Sequence, residues 1–152
     1  MTRQWITNSL DETLRTGALI GRRLKGGEVI FLHSDVGGGK TAFTRGIVGA
    51  IGDPGDVASP SFTINNTYMA GDITIEHFDF YRLSEPGIMT DEFSEASRRP
   101  RTVVIVEWGD TVEETVLPDE RVDISITSGD GDTRMFEASF SEACAYLFEE
   151  VT

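Results

Sequence analysis

Residues Ser34 to Thr41 read Ser-Asp-Val-Gly-Gly-Gly-Lys-Thr and bring together the types that hold a polyphosphate. Consecutive glycines let backbone N–H groups converge on phosphate oxygens with no Cβ in the way. Asp35, Val36, Gly37, Gly38 and Gly39 would line such a cradle. Lys40 would reach the terminal phosphates, Thr41 would offer its hydroxyl to Mg²⁺, and Ala42 completes the set at the helix start. The apolar run Val29–Leu32 precedes this turn and a helical pattern from Thr41 to Ile51 follows it, so an anion would meet the positive end of a helix. One position departs from the P-loop pattern: Ser34 stands where glycine is usual. A plainer reading is a glycine-rich turn capping an ordinary helix; the strand before it and the Lys-Thr pair after it favour nucleotide binding.

A P-loop ATPase also needs an acidic group on Mg²⁺ and a group that positions the attacking water. Both belong at the carboxyl ends of strands in an open α/β sheet. Asp79 closes the alternating run Ile73-Thr-Ile-Glu-His-Phe-Asp79, with Ile73, Ile75, His77 and Asp79 on one face. Glu107 follows four aliphatics, Val103–Val106, where an unpartnered carboxylate would be costly to bury. A cation would account for it, and a merely solvated strand-end acid is the simpler alternative for either residue. His77 either donates to the site or is a satisfied strand histidine. Trp108 either packs over a nucleotide or belongs to the core.

The elements that must position these residues follow from pattern. Ser9-Leu-Asp-Glu12 is a capping box. The apolar stripe Leu10, Leu14, Ala18, Leu24 predicts a helix ending near Gly26-Gly27. Val29–His33 is a buried strand. Phe62–Tyr68 and Ile73–Phe80 read as strands joined by Met69–Asp72, a connection so short that they must be antiparallel. Ser84–Ala96 is weakly helical, Thr102–Trp108 is a strand buried on both faces, and Asp110–Val116 is a short helix. Val122–Thr127 and Arg134–Phe140 form a hairpin around Gly129–Asp132. Ser141 caps a last helix to Glu149-Glu150. These elements predict one α/β domain over 1–152, three-layered and P-loop NTPase-like, with a mixed, mostly parallel central sheet.

Composition narrows the function. The net charge of −13 repels nucleic acid, and the chain has only two lysines, Lys25 and Lys40. Arg98, Arg99 and Arg101 form a basic cluster, either a solvated loop or a docking point for an acidic partner or an RNA backbone. The single cysteine, Cys144, excludes an internal disulfide. The N-terminal residues lack a signal-peptide apolar region and no apolar stretch is long enough to span a membrane, so the expected compartment is the cytoplasm. The guanine-reading pattern Asn-Lys-x-Asp has no match, which favours ATP over GTP.

Three further motifs stand in order behind the loop: Val57-Ala-Ser-Pro-Ser-Phe-Thr63, His77-Phe-Asp-Phe-Tyr-Arg82 and Val106-Glu-Trp-Gly109. From about Asp11 to Phe140 the chain resembles the bacterial tRNA threonylcarbamoyladenosine biosynthesis ATPase family TsaE (YjeE). The resemblance implies a small Mg²⁺-dependent ATPase that assists two partners, TsaD and TsaB, of which TsaD transfers a threonylcarbamoyl group to the adenosine next to the tRNA anticodon. Contact with tRNA would then be indirect. It further implies that Lys40 and Thr41 are the phosphate lysine and magnesium threonine, Asp79 the essential strand-end aspartate and Glu107 the magnesium glutamate. Ser59-Pro-Ser-Phe62 would be a switch-like loop at the γ-phosphate, Arg134 a nucleotide-contacting arginine, and Thr13 a nucleotide-proximal threonine. Departures are Ser34, Ser61 where threonine is common, and the segment Gly87–Arg101. Two other readings stay open: a small-molecule or nucleotide kinase on the same scaffold, and a nucleotide-binding regulatory module without turnover.

Overall fold

The computed structural model describes residues 1–35, 37–52, 65–81, 87–110 and 112–152. Among these, seven strands form one mixed sheet in the order β1 (Thr2–Thr7), β7 (Arg134–Phe140), β6 (Arg121–Ser128), β2 (Val29–His33), β5 (Thr102–Glu107), β4 (Ile73–Asp79), β3 (Asn65–Ala70). The central strands β6, β2, β5 and β4 are parallel. The joins β1–β7, β7–β6 and β3–β4 are antiparallel. The α/β fold with a mixed sheet is as expected, though parallel pairing fills only the centre and antiparallel hairpins build both flanks.

Helices cover both faces. On one, α1 (Leu10–Gly21) and α2 (Lys40–Gly49) pack over Ile30, Leu32, Ile75, Val103 and Ile105. On the other, α3 (Gly87–Arg98) lays Phe93 and Ala96 over Phe31, Phe78, Val104 and Val106. Strands β2 and β5 are buried on both faces, which is why they read as unbroken aliphatic runs. No helix among the described residues is long and apolar enough to cross a membrane.

Ser9 caps α1 through Glu12 N–H at 3.2 Å, and Glu12 reaches back to Asn8 N–H at 2.7 Å. The helix ends at Gly21, short of the expected Gly26-Gly27, and its buried stripe is Thr13, Gly17, Ile20 and Gly21, with Leu10 exposed. Close approach to α2 decides this: a Cβ on Gly17 would lie 2.5 Å from Phe43 O, and one on Gly46 would lie 2.3 Å from Leu14 O. Small residues, not leucines, make that seam.

Strand β1 was not anticipated; Trp5 stacks on Phe136 of β7 at 4.9 Å and anchors it. The β6–β7 hairpin turns where predicted, with Gly129 N–H bonded to Thr133 O. The stretch from Asp110 yields only a 3-10 turn, Glu113–Thr115. The last element is also 3-10, Glu142–Phe148, and Ser141 makes no side-chain cap. Burial of Leu147 and Phe148, together with Arg23 bonding Glu149 and Glu150, holds that segment in place of a capped α-helix. Residues 62–64 and 84–86 of the expected strand and helix lie outside the described residues.

Candidate functional site

The loop after β2 runs into α2 at the carboxyl end of the parallel strands. Gly37 and Gly39 have φ of 77° and 102°, left-handed values that L side chains rarely adopt. Gly39 is the N-cap of α2 and offers no side chain, so the first-turn amides have no side-chain cap to compete with an anion. Gly38 is bare because a Cβ there would fall 2.3 Å from Ser34 Oγ.

Lys40, expected at terminal phosphates, is 7% exposed and sits inside the loop. Its Nζ donates to Ser34 O and Ser34 Oγ, both at 3.0 Å, and lies 3.4 Å from Asp35 O. Trp108 covers it, with the indole centroid 4.6 Å from Nζ. The tryptophan is half-buried, and a φ of 55° turns it back over the loop from the end of β5. Tyr81 packs on it at 4.9 Å. Burial pulls the Lys40 ammonium below its ordinary pKa, while Glu107, Asp79 and Asp35 push it back up. Lysine, both strand-end carboxylates and the loop therefore share one electrostatic site.

Register explains that convergence. Glu107 pairs with Leu32 of β2 on one side and with Asp79 of β4 on the other. Glu107 follows Val103 and Ile105 on the α1–α2 face, so it points toward the loop rather than toward α3. It is 2% exposed and accepts from His77 Nε2 at 3.1 Å. His77 is fully buried, and its Nδ1 has no partner among the described residues. The two-residue period that put His77 and Asp79 on one face thus had a partner for His77 that only the β4–β5 pairing reveals. Asp79 is half-buried and accepts from Tyr81 N–H at 2.9 Å.

Arg134 reaches the loop as well: its Nε donates to Gly38 O at 3.1 Å, and its Nη1 holds Gly131 O and Thr133 O. Thr13 shares a 2.7 Å hydroxyl hydrogen bond with Thr7, the register partner of Arg134, so it adjoins the loop through two intermediaries. Thr41 and Ala42 are half-buried in the first turn of α2. Val36 and Ser59, with the rest of Val57–Phe62, lie outside the described residues.

Among the described residues no group of three or more His, Cys, Asp or Glu side chains is arranged to hold a metal by itself. The donors at the loop are hard oxygens: the Thr41 hydroxyl and the Glu107 and Asp79 carboxylates. That set fits Mg²⁺, which takes one or two protein ligands and fills its octahedron with phosphate and water. A buried carboxylate held by an imidazole beside a lysine is the kind of acid such an ion would neutralise.

Sequence reasoning missed His33, which ends β2 just before the loop. Its Nε2 meets Asp123 Oδ1 at 3.0 Å, and Arg121 Nε meets the other oxygen at 2.9 Å. Its signal is spacing: alternation along β2 puts His33 beside Phe31 on the α3 face, and Asp123 stands opposite Phe31 in β6. The arginine cluster, by contrast, is far from the loop. Arg99 bonds Glu76 and Glu95 and Arg101 bonds Asp72, at the amino-terminal end of β5. These residues do not form a lid over the glycine-rich loop.

A model of the family described as threonylcarbamoyl adenosine biosynthesis protein TsaE matches residues 7–136. The tRNA threonylcarbamoyladenosine biosynthesis protein TsaE of Bacillus subtilis is 35% identical over 133 residues, covering 86% of this chain and 81% of that protein. Its counterpart in Treponema pallidum is 32% identical over 121 residues, covering 80% of this chain and 88% of that protein. In three dimensions the crystal structure of Bacillus subtilis YdiB superposes with a TM-score of 0.76 at 28% identity, over 99% of this chain and 93% of that one.

Proposed function

The chain belongs to the TsaE family of tRNA threonylcarbamoyladenosine biosynthesis proteins, and we propose that within it this protein works as a cytoplasmic, Mg²⁺-dependent ATPase supporting a TsaD–TsaB complex. One observation carries the reading: a buried lysine, two strand-end carboxylates and the uncapped start of a helix meet at one glycine-rich loop.

The amides of the loop and of the first turn of α2 would bind the β- and γ-phosphates, with the helix dipole behind them. Lys40 would meet the terminal phosphate from beneath Trp108, which shields the ion pair from water and so strengthens it. Thr41 and Glu107 would hold Mg²⁺, and that ion would supply charge neutralisation to the transferring phosphoryl group. His77 would keep Glu107 oriented through its Nε2 bond. Asp79 would orient the attacking water or a water on the metal, since its position at the end of β4 faces the same mouth. Arg134 would fix the rim of the loop through Gly38 O. Val57–Phe62, read from sequence alone, would be the segment that reports the γ-phosphate to the partners.

The kinase reading is weaker, because Arg99 and Arg101 of the lid-like cluster are bonded at the far end of the sheet. A regulatory module without turnover differs in one measurable respect, phosphate release. The test is calorimetry and phosphate release on the wild type and on Lys40→Ala. Lys40→Ala is expected to lose ATP affinity by at least tenfold, the charge-assisted bonds at stake being about 2–3 kcal/mol each, with circular dichroism checking that the variant is folded. Undiminished affinity would remove the loop from nucleotide binding; binding without any phosphate release would leave the regulatory reading.

A further inference from the structure

We propose that Ser34 is a positioning residue that restrains Lys40, so that this chain's departure from glycine weakens its grip on a triphosphate and sets how readily the lysine engages one. The inference rests on the reading of the loop as a triphosphate cradle.

An ammonium has three protons. Among the described residues three acceptors face Lys40 Nζ, and Ser34 supplies two of them, its carbonyl and its hydroxyl oxygen, each at 3.0 Å. The third, Asp35 O, is more distant at 3.4 Å. The hydroxyl is oriented for this role. Ser34 Oγ donates its own proton to Asp35 O at 2.9 Å, which leaves its lone pairs toward the ammonium. It is also wedged: a Cβ at Gly38 would lie 2.3 Å from Ser34 Oγ and 2.7 Å from Ser34 Cβ, so the side chain fills the inside of the turn. The Trp108 ring also lies against the ammonium, its centroid 4.6 Å from Nζ.

The lysine is thus saturated within the loop, and a phosphate oxygen has to displace one of these contacts. With glycine or alanine at position 34 the hydroxyl contact is gone, and one ammonium proton is available to a phosphate at no loss. A mere brace would behave in the opposite way. If Ser34 only stiffened the turn through Asp35 O and Gly38, its removal would loosen the cradle and weaken binding.

The experiment is calorimetric titration of the full chain with Mg-ATP, Mg-ADP and adenosine, for the wild type, Ser34→Ala and Ser34→Gly, each also with Lys40→Met. Ser34→Ala is expected to tighten ATP roughly fivefold to tenfold, within what one hydrogen bond to a charged group is worth. The gain should be smaller for ADP and absent for adenosine, which carries no phosphate. It should vanish in the Lys40→Met background, because the coupling runs through that ammonium. Ser34→Gly repeats the test without the β-carbon. Unchanged or weaker ATP binding in both serine variants, while Lys40→Met still weakens binding measurably, overturns the proposal and leaves the cradle intact. Failure of both serine variants to fold makes Ser34 a structural brace and overturns it too. A wild type that binds no ATP defeats the cradle reading itself.

Discussion

At the scale of single residues, hydrogen-bond partners set the state of the pair at the end of β2 and of the acids beside the loop. His33 is held above its ordinary pKa by the hydrogen bond to Asp123, against the opposing effect of partial burial. Burial would push the Asp123 carboxyl up, yet the bonds from His33 and Arg121 hold it below its ordinary value. The signs define a window. The stability contributed by protonated His33 is fully present below the unfolded histidine value of about 6.5 and is lost as pH rises through the raised folded value. That contributed by Asp123 is present above about 3.9 and is lost as pH falls through its depressed folded value. Asp123→Asn is therefore expected to lower the His33 titration followed by NMR and to cost about 1 kcal/mol near pH 6, typical of a partly exposed pair. A His33 titration that does not move would show that the bond carries no charge. Glu107→Gln keeps an oxygen for His77 but loses the charge that a hard cation requires. It is expected to reduce Mg²⁺-dependent ATP turnover by about 10–100-fold while sparing metal-free nucleotide binding. Asp79→Asn should lower turnover more than affinity. Equal, small effects from both changes would mark them as ordinary strand-end acids.

At the scale of elements, the loop is only as well placed as α2, and α2 is set by its seam with α1. Gly17, Gly21 and Gly46 let the two backbones touch, with Cβ positions that would fall 2.3–2.5 Å from carbonyl oxygens of the facing helix. Gly46→Ala would gain up to about 1 kcal/mol of helix propensity. The clash with Leu14 O is with backbone and cannot be relieved by a rotamer, so overpacking at about 1–3 kcal/mol wins. The expected result is a melting temperature several degrees lower together with weaker ATP binding, since separating the helices moves the start of α2. A Gly46→Ala protein as stable as the wild type would mean that the seam can open without cost.

At the scale of the whole molecule, the net charge of −13 decides how the chain meets RNA. An acidic surface has few counterion-releasing contacts to offer, and the arginines at 99 and 101 are already bonded to Glu76, Glu95 and Asp72. The isolated protein is expected to bind tRNA no tighter than about 10⁻⁴ M at physiological salt, the weak end of non-specific binding. Filter binding across a salt series checks this. Salt-sensitive, sub-micromolar binding would point instead to a nucleic-acid surface around Arg98.

What the sequence determined by itself is what local chemistry dictates. Gly37 and Gly39 stand where the turn before α2 takes left-handed φ values, and the aliphatic runs of β2 and β5 can only be central strands. The ordered motifs around Asp79 and Glu107 also marked the family. What tertiary structure decided is which groups meet. The bond from His77 to Glu107, the pairing of His33 with Asp123 and the seam of Gly17 against Gly46 each join residues from different elements, and no period along one element encodes them. The same holds for β1, whose place comes from Trp5 finding Phe136. The α1 stripe was misread because an apolar period assumes that burial favours large side chains, whereas backbone contact between helices favours the absence of one. Ser34 shows the limit most sharply. In the sequence it is a missing glycine; only the folded loop places its hydroxyl 3.0 Å from the lysine, because the turn brings together two residues six apart.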